Sequence, residues 1–294
     1  MKSSQAKILV ILTILIIVIT IVISYYLVSN KSNYTENHPD RYPTEYPDST
    51  TEEYEVNKNP EWLSLTTVRS FGWPITDKTY QIREFTQFTL GFDADKKQAA
   101  WVAYELLPAE IEGNVGNRPR FKPDPSLAAS ASPEDYTNSG YDRGHLAPAA
   151  DFTYSRDATE ETFYMSNISP QLPDLNRGIW RQLEEQTRRW SLEKGRIWIV
   201  TGPVFSVRNK RIGKNKVAIP KGFYKVLFTP DTEPPEMLAF YLQNKYHSQE
   251  LEQLATTVDD LESLTKYNFF SSLPDSLENK WEGNLDKPKW FRSN

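Results

Sequence analysis

His145 closes the tetrapeptide Asp142-Arg143-Gly144-His145, which runs directly into Leu146-Ala147-Pro148. Of the three histidines in the chain, His38 falls in a proline-rich acidic stretch and His247 in a polar segment. His145 alone stands in a dense cluster of functional side chains. An imidazole with an ordinary pKa near ~6.5 can take a proton from water at neutral pH. Further along, Asn176 opens an amphipathic segment in which Glu184 lies two turns on and Arg188 one turn beyond, on one helix face by i,i+4 spacing. A base for water, a metal near Asn176 and nearby arginines are what hydrolysis of a phosphodiester calls for. Each group also has a plainer use: Asn176 as a helix N-cap, Glu184 with Arg188 as a solvated ion pair, and Asp142 as a structural carboxylate.

The elements that must position these groups are legible in the hydrophobic pattern. Thr79 to Phe92 and Ala99 to Leu107 predict two adjacent strands, followed by a long Pro-, Gly-, Asn- and Ser-rich loop over 108–140 that leads into the tetrapeptide. Thr162 to Ile168 predicts a short buried strand. Asn176 to Lys194 predicts an amphipathic helix closed by Gly195, its apolar face being Ile179, Trp180, Leu183, Thr187 and Trp190. Arg196 to Val204, Gly222 to Thr229 and Glu236 to Leu242 predict strands, and Thr256 to Leu264 a short helix. The order lacks the steady strand-helix alternation of a doubly wound sheet, so the class is α+β. With no cysteine in 294 residues, disulfides and thiolate metal sites are excluded, and a metal must be held by oxygen or nitrogen.

Ahead of this domain, Ile8 to Val28 is an uncharged run long enough to cross ~30 Å of hydrocarbon as a helix. It is too long for the apolar region of a cleaved signal peptide, and Ser24-Tyr25-Tyr26 is a poor cleavage site, so an uncleaved anchor with a cytoplasmic amino terminus is expected. The expected organisation is a flank over 1–7, the span over 8–28, a linker over 29–60 and a catalytic domain over 61–294. Residues 31–60 carry seven acidic and three basic side chains and four prolines, a composition that predicts a flexible tether.

Four separated blocks, in order, carry a resemblance: Asp142-Arg143-Gly144-His145; Tyr164 to Gln171 (YMSNISPQ); Leu175-Asn176-Arg177 with Trp180; and Leu183-Glu184. Thr201-Gly202-Pro203 and a weaker pattern at Val258 to Glu262 extend it. Together they resemble the DNA/RNA non-specific endonuclease family of the ββα-metal superfamily. The resemblance implies a ββα-metal fold with a central antiparallel sheet flanked by helices, and cleavage of DNA and RNA to 5′-phosphate ends. His145 then matches the general base and Asn176 the single direct protein ligand to Mg²⁺, with Mn²⁺ or another divalent ion admitted. Glu184 matches the carboxylate that holds the metal's water shell, Arg143 an arginine that contacts phosphate or positions neighbours, Arg188 a second helix arginine, and Asn167 an asparagine that supports the site. A transition-state arginine precedes Phe121-Lys122-Pro123-Asp124-Pro125, with Arg118 preferred over Arg120. Dimers occur in the family, which leaves a homodimer open. The catalytic domain is expected to face outward or into a lumen, at a cell surface or a mitochondrial inner membrane. A catalytically silent membrane-bound nucleic-acid-binding protein and a phosphodiesterase for small nucleotides are the alternatives.

Charge is a separate test. The chain carries a net charge of −5, whereas nucleic-acid binding favours a positive surface. Without residues 1–60 there remain 29 Lys/Arg against 32 Asp/Glu, or −3. Between Arg177 and Lys225, however, 13 Lys/Arg stand against three Asp/Glu, which predicts a local basic face.

Overall fold

The nine residues Gln98–Leu106 are almost entirely buried. A strand covered on both faces reads as a continuous apolar run rather than an alternation, and this strand lies in the middle of the sheet. A computed structural model describes residues 73–113 and 115–292. They belong to a unit running Lys58–Asn294. The apolar run 8–28 and the linker 29–60 lie outside the described residues. Among the described residues, no helix is long and apolar enough to cross a membrane.

The strands are β1 (Gln81–Glu84), β2 (Phe88–Asp93), β3 (Gln98–Leu106), β4 (Asp142–His145), β5 (Ile168–Gln171), β6 (Ile197–Val204), β7 (Arg211–Ile212), β8 (Val217–Ala218), β9 (Gly222–Thr229), β10 (Glu236–Gln243) and β11 (Ala255–Thr256). Seven form one sheet in the order β1-β2-β3-β6-β9-β10-β11, with every pairing antiparallel. The helices are α1 (Arg156–Glu161), α2 (Trp180–Lys194), α3 (Leu251–Leu254), α4 (Val258–Thr265), α5 (Asp275–Glu282) and α6 (Lys287–Phe291).

Side chains alternate across this sheet. Val102, Tyr104, Ile199, Leu227 and Phe240 pack on one face with Trp180, Leu183 and Trp190 of α2. Ala103, Val200, Val226 and Phe228 pack on the other with Val258 and Leu261 of α4 and Trp281 of α5. Helix α2 and the helices α4 and α5 therefore cover opposite faces.

Four sequence expectations change. The stretch 79–92 is a hairpin rather than one strand, because Phe85 N–H donates back to Phe88 O (2.8 Å) and Glu161 accepts from Thr86 N and Oγ1 (2.8 and 2.9 Å). The strand expected at 162–168 starts only at Ile168, because Met165–Asn167 form a 3₁₀ turn around the Asn167 side chain. The helix expected to start at Asn176 starts at Trp180. The turn Leu175–Ile179 before it leaves helical geometry at Gly178 (φ −100°, ψ −119°), so Asn176 is not its N-cap. The helix expected from Thr256 starts at Val258 behind Thr257, whose Oγ1 accepts from Asp260 N (3.1 Å), while Thr256 ends β11. The apolar face expected for α2 is buried, and Gly195 ends that helix at φ 85°, a conformation that costs little without a Cβ.

Candidate active site

Strands β4 and β5 form a separate antiparallel pair, with His145 opposite Ile168 and Asp142 opposite Gln171. Gly144 is required here, since a Cβ would come within 2.1 Å of the Gln171 side chain. Through Leu175–Ile179 the chain passes from this pair into α2, so two strands and a helix present one set of polar groups.

A cavity of about 290 Å³ is lined by Arg118, His145, Thr159, Phe163, Asn176 and Glu184, among others. A second, of about 360 Å³, shares Arg118 and Asn176 with it and adds Phe121, Tyr141, Asp142, Arg143 and Arg177. Between them they bring together His145, Asn176, Glu184, Arg118 and Arg143. Arg188, Asn167 and Arg120 line neither.

His145 is wedged between aromatic rings, with Phe121 at 5.5 Å and Phe163 at 5.0 Å, the latter nearly edge-on. Its buried Nε2 has no hydrogen-bond partner. Burial, with the Arg118 guanidinium adding to it, pushes the imidazole pKa down to about 3 rather than the ordinary value expected from sequence, so the ring is neutral at pH 7 but a weaker proton acceptor than a free imidazole. Arg118 lies over the same two rings, 5.7 Å from Phe121 and 5.4 Å from Phe163.

Asn176 donates through Nδ2 to Asp142 Oδ2 (2.9 Å). That bond orients the amide and makes Oδ1 the oxygen available to a cation. Arg177 grips the same carboxylate at both oxygens, at 2.8 and 2.6 Å. Burial alone would raise the Asp142 pKa, but the Arg177 and Asn176 hydrogen bonds outweigh it and hold the carboxylate below its ordinary value.

Two residues act through backbone. Asn167 is fully buried: Oδ1 accepts from Ala147 N (2.9 Å), and Nδ2 donates to Ala147 O and Thr162 O (both 2.9 Å). It pins the chain immediately after His145. Arg143 donates to Pro133 O (2.7 Å from Nη2) and lies 5.5 Å over Phe121, so its guanidinium is already committed to holding the 133–137 turn.

Arg188 does not form a solvated pair with Glu184. Its Nη1 donates to Asp151 Oδ1 (2.7 Å), and Tyr104 donates to Asp151 Oδ2 (2.8 Å). Behind them, Lys225 of β9 is 0 % exposed, and its Nζ has no hydrogen-bond partner. The ammonium lies 5.5 Å from the Trp180 ring and 5.8 Å from that of Tyr104. Burial pushes the Glu184 carboxyl up, against the pull of Lys225, and pushes Lys225 down, against the pull of Glu184 and Asp151. Asp151, Lys225 and Tyr104 were not expected from sequence. One signal was present: Lys225 is the lone charge in the otherwise apolar GFYKVLFT, at a core-facing position between Phe223 and Leu227.

The basic surplus between Arg177 and Lys225 is smaller at the surface than its composition predicts. Lys225 is buried, and Arg177, Arg181, Arg188, Lys194, Arg196 and Arg211 each pair with a carboxylate.

Residues 66–276 match the model of the DNA/RNA non-specific endonucleases. The chain belongs to that family. It is 35% identical over 231 residues to the mouse protein named "Nuclease EXOG, mitochondrial", covering 72% of this chain and 62% of that one. It is 33% identical over 216 residues to a nuclease of a Nostoc strain, covering 68% and 77% of the two chains. The chain thus spans about three fifths of the mouse protein's length. Among solved structures it is similar to one of an EndoG/EndoGI complex, with a TM-score of 0.66 and 26% identity, covering 74% of this chain and 95% of the other. That likeness supports the central antiparallel sheet in a mixed α/β fold.

Proposed function

We propose that this chain is a metal-dependent endonuclease that hydrolyses phosphodiester bonds of DNA and RNA with little sequence preference, leaving 5′-phosphate ends. The observation that carries the reading is one cavity onto which a neutral imidazole, an oriented amide, a carboxylate and a guanidinium converge from four parts of the chain. His145 takes the proton from the attacking water, because it is neutral and its Nε2 is unengaged. The donor set fits a hard cation: oxygen ligands only, with Asn176 turned so that Oδ1 is presented. A bound Mg²⁺ would polarise the phosphoryl oxygen and ease departure of the 3′ oxygen. Glu184 orders water on the cation's side of the cavity, and Arg118 offsets charge on the phosphate. Arg143, Asn167 and Arg188 hold these groups in place.

Incubating the purified full chain with plasmid and with RNA, in Mg²⁺ or in EDTA, tests the reading. Metal-dependent cleavage of both substrates is expected. Binding without cleavage would replace the reading by a silent nucleic-acid-binding protein, and cleavage of small diesters alone by a nucleotide phosphodiesterase. In the same assay, Arg118→Ala should lose far more turnover than affinity, whereas Arg120→Ala, outside both cavities, should change little. Equal effects would remove Arg118 from the transition state.

The run Ile8 to Val28 is proposed as an uncleaved anchor that leaves the domain outside the cytoplasm. Protease added to intact cells or vesicles should then remove the domain; its protection there would place it on the inner side.

A further inference from the structure

We propose a second cation site, separate from the nuclease site, in which Asp259, Glu262 and Glu282 bind Ca²⁺ between α4 and α5. The three side chains offer oxygens that all lie within 4.8 Å of one another. That separation is no more than two Ca–O bonds of ~2.3–2.6 Å, so one ion can reach all three.

Helix geometry brings the acids together. Asp259 and Glu262 are an i,i+3 pair on α4, and Glu278 and Glu282 an i,i+4 pair on α5. Glu282 is only 4 % exposed, and its Oε1 has no hydrogen-bond partner. A buried carboxylate oxygen without a donor is costly unless a charge meets it. Among the described residues, none of the four acids forms an ion pair with Lys or Arg. Lys280, on the same helix, faces another cavity with Pro234, Glu236 and Trp290. Next to the cluster is Gly283, where a Cβ would come within 2.9 Å of Asp259 Oδ2, so glycine keeps the approach open.

Burial, then Glu262, Glu278 and Asp259, push Glu282 to about 9. Burial also raises Glu262 to about 7, although Phe269 N–H donates to it at 2.7 Å. An all-oxygen, multiply anionic set that lacks nitrogen donors suits Ca²⁺, which accepts irregular coordination, better than Mg²⁺, which retains its waters. The ion would fasten α4 to α5 on the sheet face opposite α2.

Thermal unfolding of the full-length Asn176→Ala protein, which lacks the oxygen assigned to the nuclease metal, isolates this site. After chelation, CaCl₂ at a hundredfold excess over Kd should raise Tm by roughly 5–10 °C. Glu282→Gln should reduce that shift to about 1 °C or less, and equilibrium dialysis with ⁴⁵Ca²⁺ should fall from one ion per chain to none. Should the buried variant fail to fold, Asp259→Asn at the exposed rim should weaken Ca²⁺ binding at least tenfold. An absent calcium shift in the parent protein, or an equal shift in either variant, overturns the proposal. Cleavage of nucleic acid is a separate readout, so the two proposals fail independently.

Discussion

Replacing His145 with Ala should lower kcat by about 10² to 10⁴-fold, the range a positioned general base supplies, while leaving Mg²⁺ affinity close to that of the parent. Asn176→Ala should do the reverse to the metal, weakening it by 10-fold or more. Single-turnover cleavage alongside Mg²⁺ titration checks both, and loss of metal affinity in His145→Ala would overturn the division of roles. A pH effect accompanies it. The folded imidazole sits at about 3 and the unfolded one near ~6.5, so between these values the unfolded chain binds the additional proton. His145 therefore makes stability fall as pH drops through that window. His145→Ala should flatten this part of the stability profile in urea unfolding, and an unchanged slope would mean that the ring protonates without penalty in the folded state.

Lys225→Met should have the largest effect on stability. Asp151 and Glu184 are the acids, and Arg188 and Lys225 the bases, of one group held between α2 and the sheet, in which burial works against the charged forms of Glu184 and Lys225 while their mutual attraction favours them. Removing one charge from a buried, mutually compensated group costs about 3 to 5 kcal/mol, because the remaining partner keeps its desolvation penalty. Methionine fills the space between the Trp180 and Tyr104 rings, so the loss would reflect charge rather than a void. The double variant Lys225→Met/Glu184→Gln restores neutrality and should recover a substantial part of the loss. Urea unfolding of the parent, both single variants and the double variant measures this, and additive losses would mean that Lys225 and Glu184 do not compensate each other.

Several of the candidate site residues expected from sequence line the two adjoining cavities, and they could be picked out because they lie in local strings. The β4 tetrapeptide, the block around Asn167 and the Asn176–Glu184 spacing each sit within one or two elements. The positions of the sheet strands followed from apolar runs such as that of β6. What could not be read were the long-range couplings. Arg188 at i,i+4 from Glu184 satisfies the rule for a helical pair, yet it turns to Asp151, a fully buried carboxylate far away in sequence. The start of α2 was misread because Leu175–Ile179 keeps a helical hydrophobic pattern while Gly178 breaks the backbone path. The basic segment misled for a similar reason: composition counts charges, and six of those arginines and lysines are paired with acids, several from distant parts of the chain, such as Asp142, Asp231 and Asp95.

The grip of Arg177 on Asp142, and of Asp142 on Asn176, has a bearing on which side chains position 176 can accept. Carboxylates are the commoner partners of Mg²⁺, and Asp differs from Asn by little in volume. At this position, however, Asp would lose the donor that meets Asp142 and set two anions 2.9 Å apart in its place. The first residue of β4 therefore closes position 176 to the exchange that metal preference alone would favour, and the neutrality of this side chain is a property of the strand and of the turn before α2 together.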